Sequence, residues 1–474
     1  MPIDTRTKIL ATIGPSSATK EKISRLIDAG VDAFRINFSH GTHDEHRERI
    51  EIIRTLEKEK GHFISILADL QGPKLRVGDF KEDKVWLDEG QKFVLDMEKT
   101  LGDKTRVCLP HKEIFAALKV GDKLLVNDGY IVLKVLKCGK DFAETKVEVG
   151  GYISSHKGVN LPNTTLNISA ITSKDEEDLK FALKNDVDWI GLSFVQKADD
   201  IRRAKKLIDG KARIIAKLEK PSAIDDLDEI VKEADAIMVA RGDLGVECPL
   251  PMVPVMQKKI VKTCRLYAKP VIVATQMLES MIVNPTPTRA EVSDVATAVY
   301  DGADTVMLSA ETAAGKYPEE AVKMMHNIIC QVEKDPLFFE LMNSSRRYPC
   351  MAEEADAITF AASELAGVLK NVKAIVSYSS SGFTTFLTAR ERPSLPILSL
   401  SPDIKVARQM SLVWGVKSSI NKESFKKFSS VEECAVKHVK EAGLAKSGDH
   451  IIITAGFPLN VKGRTNMLHT VYIN

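Results

Sequence analysis

No apolar run in this chain of 474 residues reaches the length needed to cross a bilayer, which argues against a membrane-spanning protein. Charge of one sign is also missing. Lys+Arg 67 against Asp+Glu 65 leaves a formal charge of +2, so no bulk field draws the protein to nucleic acid or an anionic membrane, and any anion must be bound locally. Cysteines number seven, an odd count with no C-x-x-C pair, and the opening residues MPIDTR carry no apolar signal core. Together these lead to the expectation of a reducing, cytoplasmic setting without a disulfide framework. Short-period repeats and low-complexity tracts are absent. What is present is 44% hydrophobic and 28% charged residues, enough for a large core. At about 150 residues per domain the length predicts about three domains.

Eight short buried strands are predicted at 8–14, 33–39, 64–70, 189–194, 213–219, 236–241, 270–276 and 305–309, nearly all ending on polar residues. Amphipathic helices fall between them at 19–29, 44–58, 174–185, 198–207 and 253–266. That alternation predicts an α/β fold built on a (β/α)8 TIM barrel, with chemistry at the carboxyl ends of its strands. After the third strand the expected helix is missing. Residues 72–166 instead alternate in strand fashion between turn signals such as Asp88 to Gly90 and Asn127 to Gly129, which predicts a small β-barrel inserted as a lid over the substrate face. The catalytic barrel is thus expected to comprise 1–71 and 167–333. From about residue 351 the helix–strand pattern restarts, so 334–474 is expected to be a C-terminal doubly wound α/β domain.

The fifth and sixth predicted strands, RIIAKLE (213–219) and AIMVARGD (236–243), stop on charge. Alternation across a strand places Lys217 and Glu219 on one face, an ammonium beside a carboxylate. Gly242 permits close backbone approach, and Asp243 is a second carboxylate that could share a divalent cation with Glu219. A single such pair reads equally as a surface ion pair. Its repetition at strand ends points to a phosphoryl-transfer site, where catalysis is positioning plus fixed positive charge.

Six stretches carry a family resemblance: TKILATIG (7–14), RINFSHG (35–41), KGVNLP (157–162), MVARGDLG (238–245), ATQMLES (274–280) and PTRAE (287–291). Over essentially its whole length the chain resembles the pyruvate kinases. The resemblance implies transfer of a phosphoryl group from phosphoenolpyruvate to ADP, giving ATP and pyruvate in glycolysis. It makes Lys217 the transition-state cation, Arg35 the grip on the moving phosphate, and Thr275 a group beside the carbon that is protonated. Thr275 alone is a poor acid, so it is read as part of a water relay with Ser309 and Ser193, or else as a plain N-cap. Glu219 and Asp243 become ligands of Mg²⁺, for which Mn²⁺ could substitute. The amides at Gly242 and Asp243 would hold the substrate carboxylate. Nucleotide contacts are implied at Asn37, Phe38, Ser39, His40, Arg76 and Lys157. A homotetramer is implied as well.

One departure from the family has a physical consequence. Asn37, Ser39, Asp69 and Leu70 occupy the family's monovalent-cation site, but Lys74 stands where many members carry glutamate. Its ammonium near Asn37, Ser39 and Asp69 would replace the ion, so turnover is expected not to require K⁺. Lys220, where the family usually has a neutral residue, is a second departure. In the C-terminal unit, Ser379, Ser380, Ser381, Gly382 and Thr384 follow a strand and open a helix, forming an anion cradle or a well-capped helix. Pyruvate kinases bind effectors here, which implies a sugar phosphate or AMP as activator. Two other readings remain: a barrel lyase that stabilises an enolate without nucleotide, and a catalytically silent metabolite sensor. ADP dependence separates the first, and the intact Lys217, Glu219, Asp243 and Thr275 argue against the second.

Overall fold

The structure is a computed structural model that describes residues 5–162, 168–344, 353–422, 425, 427–459 and 463–474. The expected boundary at 166/167 and the restart at residue 351 lie outside the described residues. Eight parallel strands close into a barrel: Lys8–Thr12, Ala33–Asn37, Ser65–Asp69, Trp189–Leu192, Arg213–Leu218, Ala236–Ala240, Val271–Ala274 and Thr305–Leu308. The first strand closes the ring by pairing with the eighth and the second. These strands are apolar on both faces because one side fills the barrel and the other meets the helices. Each ends one or two residues before the sequence pattern predicts. There the backbone turns out of the ladder, and Phe194, Thr275 and Gln276 adopt positive φ of 56°, 72° and 59°. Non-glycine residues bear that conformation at a cost, and it is found disproportionately at functional sites.

Four of the helices start on threonine caps, Thr19, Thr42, Thr172 and Thr288. Thr42, Thr172 and Thr288 each form a capping box with Glu45, Asp175 and Glu291. The last box explains one quoted motif: Glu291 also accepts from Ser280 N at 2.7 Å and Ser280 Oγ at 2.5 Å, so the stretches 274–280 and 287–291 hold each other in place.

Between the third and fourth barrel strands, the insert forms a six-stranded sheet and a two-stranded ribbon, Lys84–Leu87 with Gly151–Ser154. Both enclose one apolar core that includes Val85, Phe93, Leu133 and Ile153. This is the expected inserted β domain, in the form of a half-barrel: among the described residues its edge strands, Val159–Asn160 and Arg106–Cys108, do not pair with each other.

The C-terminal unit is a five-stranded sheet in the order Val416–Ile420, Ile397–Ser401, Val372–Tyr378, His450–Ala455, Met467–Tyr472. Only the last strand is antiparallel. Val416–Ile420 was not anticipated, because an edge strand reading VKSSI has too few apolar positions to register. This unit closes the amino end of the barrel: Met410, Leu412 and Val413 join a core with Leu10, Leu67, Ile215 and Met307. Buried Arg408 reaches back to Glu57 at 2.6 Å, and Arg392 to Asp304 at 2.9 Å.

Candidate active site

The carboxyl ends of the third, fourth and fifth strands bring Asp69, Ser193, Lys217 and Glu219 together. Lys217 Nζ lies 2.8 Å from Glu219 Oε1, 3.2 Å from Asp69 Oδ1 and 2.7 Å from Ser193 Oγ. Glycine at 191 makes room for this cluster, since a Cβ there would stand 2.8 Å from Asp69 Oδ1. Asp69 also accepts from Arg35 Nε at 2.6 Å, and Arg35 Nη1 donates to Thr12 Oγ1 at 3.2 Å. Ser193 donates onward to Leu70 O at 2.8 Å, so its one proton is committed to the backbone.

Electrostatics divides these charges unequally. Burial works against the Lys217 ammonium, but Asp69 and Glu219 outweigh it and hold its pKa above the ordinary lysine range. Burial likewise opposes the Asp69 carboxylate, and here Lys217 and Arg35 win, lowering its pKa. Glu219 has only a share of one lysine. Burial, with Asp243 adding repulsion and Lys217 opposing it, pushes Glu219 up to about 7. An under-neutralised buried carboxylate coupled to a second one is what a divalent cation would satisfy. Among the described residues no group of three or more His, Cys, Asp or Glu side chains is arranged to hold a metal. Glu219 and Asp243 would offer a divalent cation two carboxylates, leaving other positions to water or substrate oxygens, an arrangement that suits a hard cation such as Mg²⁺. Glu219 Oε2 is further oriented by the amide of Phe194 at 3.0 Å.

The sixth and seventh strand ends are joined by Arg241, which sequence reasoning quoted within a motif but gave no role. Its guanidinium grips Asp294 at 2.6 and 2.7 Å and donates to Thr275 O at 2.8 Å, fixing the strained turn that carries Thr275. Asp294 lies 53 residues away, a pairing that no local pattern signals. The expectation of bare amides at Gly242 and Asp243 needs correction at Gly242, whose N–H donates to Thr275 Oγ1 at 2.7 Å. Thr275 Oγ1 in turn donates to Ala274 O at 2.6 Å, so the hydroxyl bridges two strand ends and meets a first-turn amide of the helix Arg241–Glu247 instead of capping a helix after its own strand. Ser309 Oγ is buried with no hydrogen-bond partner among the described residues, while its amide donates to Glu311 at 2.7 Å.

Of the expected nucleotide contacts, Arg76 and Lys157 meet at the base of the insert. Arg76 Nη1 donates to His156 O at 2.8 Å, and Arg76 bridges to Gly158. His40 is exposed on the loop after the second strand, where Asn37 Oδ1 accepts from Ser39 N at 3.1 Å. Phe38 departs from expectation: its ring is buried against His46, 4.5 Å between centroids, while its N–H donates to Asp69 O at 3.0 Å and its carbonyl accepts from Lys174 Nζ at 2.8 Å. Lys74 departs too. It lines a cleft of about 450 Å³ between insert and barrel with Phe194, Asp243 and Glu247, and no hydrogen bond or ion pair joins it to Asn37, Ser39 or Asp69 among the described residues. The charge of Asp69 is met by Arg35 and Lys217 instead.

At the C-terminal cradle, Gly382 takes φ 77° and caps the helix Phe383–Arg390. Thr384 Oγ1 is taken by Thr465 at 2.6 Å, and Ser379 is buried, which leaves Ser380 and Ser381 half-buried at the rim. Ser381 O accepts from Arg213 Nη2 at 2.5 Å, joining the cradle to the start of the fifth barrel strand.

Comparison with known proteins agrees with this geometry. Residues 4–322 match the family model described as pyruvate kinase, barrel domain, and residues 356–471 match pyruvate kinase, alpha/beta domain. The chain is 48% identical over 471 residues to a pyruvate kinase of Methylorubrum extorquens, covering 99% of this chain and 97% of that one. It is likewise 48% identical over 466 residues to one from Agrobacterium vitis, covering 98% and 97%. A crystal structure of a pyruvate kinase from Cryptosporidium parvum superposes with a TM-score of 0.92 at 34% identity, covering 99% and 96% of the two chains. Matched in both parts and nearly end to end, the chain belongs to the pyruvate kinase family and is a phosphotransferase.

Proposed function

We propose that the barrel mouth transfers the phosphoryl group of phosphoenolpyruvate to ADP, giving ATP and pyruvate. The observation that carries this reading is the buried Lys217 ammonium held at the strand ends between Asp69, Glu219 and Ser193, with Arg35 on the far side of Asp69. In the reaction the bond from phosphorus to the enol oxygen breaks, a bond to the terminal ADP oxygen forms, and the enolate takes a proton at carbon. Lys217 and Arg35 supply fixed positive charge where the phosphoryl oxygens gather charge. A divalent cation at Glu219 and Asp243, magnesium or manganese, supplies further neutralisation of phosphate and enolate oxygens. Thr275 orients the proton-delivering side, and Ser309, with its unpartnered hydroxyl, suits a relay. Arg76 and Lys157 on the insert face the nucleotide. A coupled assay with phosphoenolpyruvate, ADP and Mg²⁺ should show turnover that vanishes when ADP or the metal is omitted. Turnover without ADP would overturn the reading.

The same reading extends to three finer points. Turnover is K⁺-independent: Asp69 already carries two cations, and Leu70 O and Asn37 Oδ1 each hold a donor. Rates in sodium-only and potassium buffers should then agree, and a large rise with potassium would sink the point. A phosphorylated metabolite activates the enzyme from the loop 379–384. The tie from Ser381 O through Arg213 to the strand that carries Lys217 supports this. Titrating ribose 5-phosphate, AMP and fructose bisphosphate against substrate saturation curves tests it. The homotetramer is tested by light scattering.

A further inference from the structure

Lys220 departs from the family pattern, and sequence alone attaches no consequence to it. In the structure it is buried, with its ammonium 3.2 Å from Glu247 Oε1. The same oxygen accepts from Asn160 Nδ2 at 2.8 Å. Glu247 is itself buried. The two donors come from different parts of the molecule. Lys220 follows the fifth barrel strand, immediately after Glu219. Asn160 sits on the edge strand Val159–Asn160 of the insert, paired to Leu125. Glu247 closes the helix Arg241–Glu247, which also carries Asp243 one turn earlier, and residues four apart share a helix face. Asp243, Glu247, Asn160 and Lys220 accordingly line one cleft.

We propose that Glu247 is a positioning residue that latches the insert to the metal-bearing helix, with Lys220 as the charge that makes the latch possible. The inference rests on the reading of the insert as the nucleotide-side cover. A buried carboxylate without a counter-charge either takes up a proton or attracts a cation. Lys220 meets that charge, so Glu247 neither competes with Glu219 and Asp243 for the divalent ion nor repels it. Glu247 is then free to accept the Asn160 amide. Because Asp243 and Glu247 ride on one short helix, the position of the insert and the position of Asp243 become one equilibrium. The insert's turn also runs close to that helix: a Cβ built at Gly129 would lie 3.8 Å from Val246 Cγ1. The known reaction gains a device by which closing over the nucleotide also sets a metal ligand.

The test exchanges donor and acceptor. Asn160→Asp places a carboxylate against Glu247 and should raise KM for ADP and the half-saturating Mg²⁺ concentration about tenfold, the scale of losing a hydrogen bond to a charged group. KM for phosphoenolpyruvate should move less. The double variant Asn160→Asp with Glu247→Gln restores an amide–carboxylate pair with roles reversed, and should bring both values back to within a few-fold of the native protein. Trypsin cleavage within the insert gives a readout that needs no turnover: faster in the single variant, restored in the double. Melting curves on each variant separate a loosened latch from a damaged fold, and Asn160→Ser replaces Asn160→Asp should the latter not fold. Native KM values in a folded single variant, or a double variant no better than the single, would overturn the latch. Equal cleavage rates in all three proteins would do the same whatever the turnover. Failure of the functional reading shows itself separately, as a native protein that does not use ADP.

Discussion

The barrel mouth and the C-terminal cradle both collect polar groups at the carboxyl ends of parallel strands, yet they are built from opposite materials. At the mouth the groups are ionisable and buried: the Lys217 ammonium lies 3.2 Å from Asp69 and 2.8 Å from Glu219. In the cradle, neutral hydroxyls meet: Thr384 with Thr465, and Ser377 with Thr388 and Thr454 at 3.1 Å. Burying a charge carries a desolvation penalty of several kcal/mol per ion, whereas a hydroxyl that finds a partner carries almost none. A protein with only stability to satisfy would not place three charges at strand ends where apolar residues pack well. The mouth is therefore legible as chemistry. The cradle, built from paired hydroxyls, carries no such electrostatic signature.

That contrast is most sharply broken at Lys217. Lys217→Met removes the one cation shared by Asp69 and Glu219, and should lower kcat about 10²- to 10³-fold, or ~3–4 kcal/mol of transition-state stabilisation. Divalent-metal binding should survive, because Glu219 and Asp243 remain. Stopped-time coupled assays give the first number and Mn²⁺ titration the second. Near-native turnover would mean that the transition-state charge comes from elsewhere.

The cradle's counterpart is Gly382→Ala, where backbone conformation takes the place of charge. At φ 77° a side chain is strained by about 1–2 kcal/mol, and the new Cβ would stand 2.8 Å from Met410 Cε, a contact the flexible methionine can relieve in part. The expected result is a loss of about 1–2 kcal/mol in thermal or denaturant unfolding of the C-terminal unit. Unchanged stability would show that the loop 379–384 tolerates another conformation, and would weaken the view of it as a preformed cradle.

Much of the molecule is legible in the sequence for one reason: buried parallel strands are apolar throughout and stop where polar residues begin. All eight barrel strands follow from that rule, and so does Lys217 beside Glu219. The misses have separate physical causes. Val416–Ile420 escapes because its edge position leaves it half-exposed. The roles of Asp69, Arg241 and Glu247 depend on partners 148, 53 and 87 residues distant, taking Asp69 with Lys217, Arg241 with Asp294 and Glu247 with Asn160. Lys74 misleads for the same reason. Its position in the sequence fits the monovalent-cation loop, but it lines the cleft with Asp243 and Glu247 and makes no hydrogen bond or ion pair to Asn37, Ser39 or Asp69 among the described residues.

Acid should separate the two regions as well, though more gently. His46 is buried beneath Phe38, under the loop that carries Asn37 to His40, and its pKa is lowered to about 4 by burial, with Arg49 and His43 adding repulsion while Asp178 and Glu45 oppose it. In the unfolded chain it returns to about 6.5. The unfolded state therefore binds the extra proton across that interval. The stability contributed by neutral His46 is complete above pH 6.5 and declines as the pH falls toward 4. Allowing for partial solvent screening, the native protein should lose about 1 kcal/mol more than His46→Gln between pH 7 and pH 5. Parallel melting curves for the two proteins over that range measure the difference. The cradle's hydroxyls do not titrate here, so this slope belongs to the barrel side alone. Identical slopes in the two proteins would place the acid sensitivity elsewhere and remove His46 from the support of the nucleotide-side loop.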